Sequence, residues 1–297
     1  MEPTPEEAAN VLRAVKAVPA ERVAWELVTS ESHTPARRWL VTLADGRRVF
    51  AKAATDELTA SWLRDEHRAY STLRGAPFMP EFVGWHDDGA CPVLAIEDLS
   101  AAIWPPPWTR RQVAAVLETL EQIHGTQPPD NLPRADDPHL ELREGLAEIG
   151  RNPEVFLALV LCSPGWLERH LETLLAATGR APLAGDALLH FDVRSDNLCF
   201  RSNGAAVLID WNWASIGNPW LDLAGWLPSL NAEGGPPPDE VAPDVPPELA
   251  ALVAGFFCAH ASRPPLQTAP NVRSLQLRQA RTALPWAARA LGLLPPA

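Results

Sequence analysis

The stretch that decides the fold runs from Leu188 to Leu223: LLHFDVRSDNLCFRSNGAAVLIDWNWASIGNPWLDL. It contains His190-x-Asp192-x-x-x-x-Asn197. Two short apolar strands follow, joined at Asn203-Gly204, and the second ends in Asp210. Two carboxylates and an amide thus stand at the rims of one small hairpin. Phosphoryl transfer from a nucleotide needs such a set: a carboxylate to accept a hydroxyl proton, and an amide with a second carboxylate to hold Mg²⁺. Asp192 is the candidate base; alone, it would read as a turn-capping carboxylate. Asn197 and Asp210 offer the hard oxygens that Mg²⁺ prefers. His190 is expected to position the loop. Arg194 has two readings, a cation that neutralises charge on the transferred group or a surface arginine.

Working outward, Lys52 is one of only two lysines in the chain, the other being Lys16. RRVFAKAA (Arg47 to Ala54) has strand character, and period two puts Lys52 on the face of Phe50, opposite Val49, Ala51 and Ala53. The helix predicted from Asp56 onward has an inner stripe of Leu58, Trp62, Glu66, Tyr70 and Leu73. Glu66 is a charge within that stripe, and a buried charge needs a partner. Lys52 is the economical one, leaving the lysine aimed at nucleotide phosphates. The plainer reading of Glu66 is an incidental charge on a surface helix. Asp222 lies among Trp220, Leu221, Leu223 and Trp226, which predicts a buried brace accepting backbone hydrogen bonds. His124 at a helix end reads as packing or capping.

Along the chain, five strand patterns and one main helix precede residue 99, with Asp45-Gly46 marking a tight hairpin. A Trp104-Pro-Pro-Pro-Trp108 break follows, and Thr109-x-x-Gln112 opens a helix as a capping box. Further helices are expected over 138 to 178 and in the C-terminal tail, with an exposed loop from Pro236 to Pro247. This is an α+β chain: a small sheet-rich N-terminal lobe (1–97) joined by a short hinge to a larger helical lobe (98–297).

The 297 residues carry a formal net charge of −12, which argues against a nucleic-acid partner. No apolar run has the length of a membrane span, and the acidic start lacks a signal-peptide core. The chain reads as cytoplasmic, with no membrane partner. Cys91, Cys162, Cys199 and Cys258 lack metal or redox spacing and read as reduced structural thiols.

These residues together resemble the aminoglycoside phosphotransferase family, protein-kinase-like small-molecule kinases that include choline kinase relatives. HFDVRSDN is similar to that family's catalytic loop, LIDW to its second metal-binding segment, and GNPWLDLA to its Gly-Asp-Pro…Asp-Leu-Ala segment, with Asn218 in place of the first aspartate. VFAK and RDEHRAYSTL supply the expected lysine and glutamate. The resemblance implies a bilobal protein-kinase-like fold, ATP (or GTP) as donor, Mg²⁺ as cofactor, and a small-molecule hydroxyl as acceptor. It also implies a hinge in AIEDLS, near Glu97 to Leu99, whose backbone pairs with adenine. The family's phosphate loop is usually glycine-rich; here SESHTPA (Ser30 to Ala36) has no glycine, and Ser30, Ser32 and Thr34 are the candidate phosphate partners.

Three other readings compete. A protein kinase would need a longer segment between Asp210 and Asp222. A regulatory nucleotide-binding pseudokinase would fit the glycine-free loop but not the intact Lys52, Asp192, Asn197 and Asp210 set. A metal-dependent hydrolase would need a tighter His/Asp cluster. Asp130, Asp136, Asp137, Glu141, Glu144 and Glu148, against Arg134 and Arg143, form an acidic rim expected to suit a cationic acceptor or simply to be solvated.

Overall fold

The structure is a computed structural model that describes residues 2–16, 23–28, 35–267 and 269–296. In chain order its elements begin with α1 (Pro5–Ala14), β1 (Ala24–Leu27), β2 (Arg37–Thr42), β3 (Arg48–Ala53), α2 (Glu57–Thr72), β4 (Phe82–His86) and β5 (Val93–Glu97). Next come α3 (Arg110–His124), α4 (Glu144–Arg151), α5 (Pro153–Leu157), α6 (Pro164–Arg180), β6 (Ala187–Leu189), β7 (Leu198–Phe200) and β8 (Ala206–Leu208). The chain continues with β9 (Ser215–Gly217), α7 (Trp220–Ala232), α8 (Pro238–Val241), α9 (Pro247–Ser262) and α10 (Val272–Ala290). It divides into two compact units, Met1–Trp104 with Asn197–Ala214, and Pro105–Asp196 with Ser215–Ala297.

The first unit is built on an antiparallel sheet of order β1-β2-β3-β5-β4. Alternation along β2 and β3 sends Trp39, Val41, Val49 and Ala51 into a core with Val11, Ala14, Val93 and Ala95. Helix α1 lies close against β4: a Cβ on Gly84 would stand 1.9 Å from the Ala14 carbonyl oxygen, so only glycine permits this approach. A capping box formed by Thr4 and Glu7 starts α1. The Glu7 carboxylate also accepts from Trp39 Nε1 at 2.7 Å and Arg37 at 2.9 Å, tying the cap to β2. The other sheet face carries the residues of β2 and β3 in register, Arg38 opposite Lys52 and Leu40 opposite Phe50, with Phe50 opposite Ile96 on β5. Helix α2 starts at Asp56, whose carboxylate accepts from Thr59 N at 2.8 Å. The β7–β8 hairpin belongs to this unit; it turns at Gly204 (φ 89°) and pairs with Ile103 through Phe200.

In the second unit α9 is buried along most of its length. It crosses α4 closely enough that a Cβ on Gly145 would lie 2.4 Å from the Gly255 carbonyl oxygen. Two prolines, Pro228 and Pro285, sit inside α7 and α10. Thr282 Oγ1 donates to the Pro228 carbonyl at 2.7 Å, and Gln279 Nε2 to Ser229 Oγ at 2.7 Å, so the two helices share a buried polar seam. Thr109 caps α3 with Gln112 as its spacing predicts. The expected exposed loop at Pro236–Pro247 is corrected: Pro238 begins a one-turn helix, and Pro238 and Val245 are buried. Among the described residues no helix is long and apolar enough to cross a membrane. The four cysteines are free thiols, and burial pushes the Cys199 thiol up to about 12.

Candidate active site

Two short strands position the loop that carries Asp192. β6 and β9 run antiparallel, Leu189 opposite Ser215, and α7 begins three residues after β9 with Asp222 in its first turn. The Asp222 side chain is buried, and its oxygens accept from His190 N at 3.1 Å and Phe191 N at 2.7 Å. His124 Nε2, at the end of α3, lies 3.0 Å from Asp222 Oδ2; an ionised carboxylate only accepts, so this nitrogen carries the hydrogen. His190 is fully buried, and its Nδ1 accepts from Asp192 N at 3.3 Å. Phe191 between them has φ 67°, a left-handed conformation costly for an aromatic residue. The brace on both sides of it holds Asp192 at the end of a tight reversal.

Arg194 points back at this carboxylate. Its Nη1 donates to Asp192 Oδ1 at 2.8 Å, while Nε and Nη2 grip Asp196 at 2.9 and 3.1 Å. Ser195 Oγ donates to Glu233 Oε1 at 2.6 Å, and Trp108 Nε1 donates to the other oxygen at 2.9 Å. The loop is therefore also tethered to the end of α7.

In the sheet unit, Lys52 Nζ donates to both Glu66 oxygens at 2.8 and 3.0 Å and to Asp210 Oδ1 at 3.1 Å. Lys52 and Glu66 are buried and meet as expected, but the inner stripe of α2 is corrected: Leu58 is exposed and Trp62 half-buried, and Ala60, Leu63, Glu66, Ala69 and Tyr70 face inward. Burial works against the Lys52 charge, but Asp210 and Glu66 outweigh it and raise its pKa. Burial pushes the Glu66 carboxyl up to about 7, opposed by Lys52. Arg38, across the strand pair from Lys52, has its pKa lowered by burial and supported by Asp210 and Glu66. Asp210 itself has φ 66° at the exit of β8. Asn197 is buried at the entry of β7, and its carbonyl accepts from Ile209 N at 2.8 Å, which sets it beside the residue preceding Asp210.

An amide and a carboxylate at adjoining ends of one hairpin fit Mg²⁺, which takes one or two protein oxygens and completes its octahedron with water and phosphate. Among the described residues no group of three or more His, Cys, Asp or Glu is placed to hold a metal ion. That donor set does not suit a zinc hydrolase.

At the expected hinge, the Glu97 backbone N–H donates to Glu81 O at 2.9 Å, and the Leu99 carbonyl accepts from Ala102 N at 3.0 Å and Trp104 Nε1 at 3.2 Å. Both Arg201 Nη groups clamp the Glu97 carboxylate, Nη2 at 2.6 Å, and hold its pKa below the usual range. Ser30, Ser32 and Thr34 lie outside the described residues. Much of the acidic rim is internally paired: Asp136 with Arg134, Glu144 with Arg151 and Glu148 with Arg263, while Asp137 caps a 3-10 turn through His139 N.

Sequence reasoning did not assign Arg38, Arg201 or Glu233, and it gave His124 only a packing or capping role. The Asp45-Gly46 signal did not supply Arg38: a two-residue turn there would set Trp39 opposite Lys52, whereas Leu43 pairs with Arg47 around a three-residue turn and Arg38 takes that place. The partners of Arg201, Glu233 and His124 lie 104, 38 and 98 residues away and leave no local pattern.

A sheet carrying a buried Lys–Glu pair, followed by a helical unit with an Asp-bearing loop, defines the protein-kinase-like class of phosphotransferases. Residues 31–242 match the phosphotransferase enzyme family, so the chain belongs to that family and is an enzyme of phosphoryl transfer to a hydroxyl group. Among solved structures it is similar to an aminoglycoside phosphotransferase from Alicyclobacillus acidocaldarius, with TM-score 0.63, 17% identity, and 98% of this chain and 95% of that one covered. It is also similar to the choline kinase LicA from Streptococcus pneumoniae, with TM-score 0.60, 13% identity, and 96% and 99% covered. A thermostable mutant of aminoglycoside phosphotransferase APH(4)-Ia, solved with AMP-PNP and hygromycin B, gives TM-score 0.58, 14% identity, and 97% and 98% covered. No curated protein matches the chain.

Proposed function

We propose that this chain is an ATP- and Mg²⁺-dependent kinase of a small hydroxyl-bearing molecule. The observation that carries the reading is Lys52, buried and held by Glu66 and Asp210 on one sheet face. A buried lysine fixed by two carboxylates is a preset cation, suited to polyanionic phosphate. On the same face the Leu40–Phe50–Ile96 rung offers an apolar surface for a base. The cationic rung stands two residues further along each strand, about 7 Å away.

In this reading Asp192 accepts the proton of the acceptor hydroxyl, with its loop preset by Asp222 and His190. Arg194 orients the Asp192 carboxylate through its hydrogen bond, and stands ready to meet charge on the transferred group. Asn197 and Asp210 hold Mg²⁺, which supplies charge neutralisation for the donor phosphates. The Glu97–Leu99 segment receives the base. Catalysis is then a matter of positioning and electrostatics, with no covalent enzyme intermediate. Structures of similar proteins contain AMP-PNP with hygromycin B, AMP, and ATP with streptomycin, which supports a nucleotide donor and a small acceptor here.

The test is a nucleotide-consumption screen over aminoglycosides, amino alcohols, sugars and other hydroxyl compounds, with and without Mg²⁺. A compound that stimulates Mg²⁺-dependent ADP release and gains one phosphoryl group supports the proposal. Tight nucleotide binding with no turnover on any compound would favour a regulatory pseudokinase.

A further inference from the structure

The glycine-free segment Ser30–Ala36 leaves open how the chain grips a polyphosphate, because glycine-rich loops do this with backbone N–H groups. The segment leads directly into β2, and the second residue of β2 is Arg38. In the β2–β3 register Arg38 stands directly opposite Lys52. Directly opposed residues of an antiparallel pair have Cβ atoms about 5 Å apart, and like charges so placed repel. A sheet that keeps two cations on one rung must gain something from both.

Glu66 and Asp210 support both cations of this rung, Lys52 by direct hydrogen bonds and Arg38 through their charge. The half-buried Arg38 donates from Nη1 to Ala36 O at 2.8 Å. Its guanidinium presents five donors in a rigid fork, the geometry that meets phosphate oxygens in pairs. A metal drawing on Asp210 would weaken the support that this carboxylate gives to Lys52 and Arg38. An incoming polyanion restores that support.

We propose that Arg38 is a second phosphate-binding residue, acting beside Lys52 on the nucleotide's phosphate chain in place of a glycine-rich loop. This rests on the nucleotide reading above. Its contact is with phosphate and not with the base, because Leu40, not Arg38, shares the rung of Phe50 and Ile96.

The experiment is calorimetric titration of ATP, ADP and adenosine into the full chain, with and without Mg²⁺. The proteins are wild type, Arg38→Met, Arg38→Gln and, as a control, Arg37→Met, whose exposed arginine pairs with Glu7. Both Arg38 variants should bind ADP and ATP about tenfold more weakly and adenosine about as well as wild type. Arg37→Met should match wild type for every ligand. The two Arg38 variants differ in polarity, so one that fails to fold leaves the other to carry the comparison. Wild-type protein that binds no nucleotide overturns the kinase reading itself. Wild-type protein that binds, with Arg38 variants that bind ADP equally well, overturns the Arg38 inference alone. Variants that lose melting temperature but no ADP affinity make Arg38 a counter-ion of Asp210 and Glu66, which also overturns it. So does an equal loss for ADP and adenosine.

Discussion

Phe191 and Asp210 both adopt left-handed backbone, at φ 67° and 66°, and each belongs to a segment with a candidate catalytic or metal-binding carboxylate. Such a conformation costs on the order of 1–3 kcal/mol and persists only where its surroundings over-determine it. The surroundings differ. The Phe191 turn is held by neutral backbone donors feeding one buried carboxylate, Asp222, backed by His124. The Asp210 turn is held by charge, through the Lys52 ammonium that it shares with Glu66. The first arrangement keeps Asp192 outside its own support. The second makes Asp210 part of the support, so its chemistry and its folding role are joined.

The largest effect should come from Asp192→Asn. Turnover should fall by about two to four orders of magnitude, the span for loss of a general base, while nucleotide affinity and melting temperature stay near wild type. Coupled ADP-release kinetics with the acceptor, alongside calorimetry and thermal unfolding, check this. A variant with normal turnover removes Asp192 from the chemistry; a large drop in melting temperature breaks the claim that its loop stands without it.

Asp222→Asn should instead strike the fold. The amide replaces a carboxylate that takes three donors, and turns a donor of its own toward them. Leaving buried N–H groups unmatched costs about 1–3 kcal/mol each, so a loss of about 3 kcal/mol is expected, or roughly 6–12 °C in melting temperature. Turnover should fall with it as Asp192 loses its setting. Unchanged stability would mean the backbone turn holds itself.

The sequence made the two halves of this comparison unequally readable. Lys52 and Glu66 could be paired because strand and helix periodicities each assign a face, and a buried charge demands a partner. Asp222 could be read as a brace because its neighbours are all large and apolar. What the sequence did not reveal was register and long-range closure. β6 and β9 have three residues each, too few for alternation to register, yet they bring His190 to Asp222. Arg38 was overlooked because periodicity gives a face but not an opposite number. The one-turn helix at Pro238 was hidden by a proline run that reads as loop.

Asp210→Ala sharpens the charged half. Mg²⁺-nucleotide affinity should fall roughly tenfold, about 1.4 kcal/mol, and metal-free nucleotide affinity by less, because the carboxylate addresses the metal. Unlike Asp192→Asn, this variant should also lose melting temperature, since the buried Lys52 loses one of the two carboxylates it donates to. Titrations with and without Mg²⁺ separate the two. Equal losses in both would assign Asp210 to folding only.

The smallest effect isolates burial from bond count. Asp88, in the β4–β5 turn, also accepts from two backbone N–H groups and one side chain: Ala90 at 3.0 Å, Cys91 at 2.8 Å and Asn10 Nδ2 at 3.0 Å. It is exposed, whereas Asp222 is buried. The backbone donors of Cys91 and Ala90 hold its pKa down to about 2, below the 3.8 of a free aspartate. The folded state therefore binds fewer protons than the unfolded chain between these values. Its stabilisation is complete above pH 3.8 and is lost as pH falls toward 2. Solvent screening should keep that contribution under about 1 kcal/mol. Asp88→Asn should therefore melt no more than about 3 °C below wild type at pH 7. The gap should hold down to about pH 4 and narrow as pH falls from there toward 2. If it matches the Asp222→Asn loss, or does not narrow in acid, the contrast drawn here rests on the number of donors and not on the burial of the carboxylate that receives them.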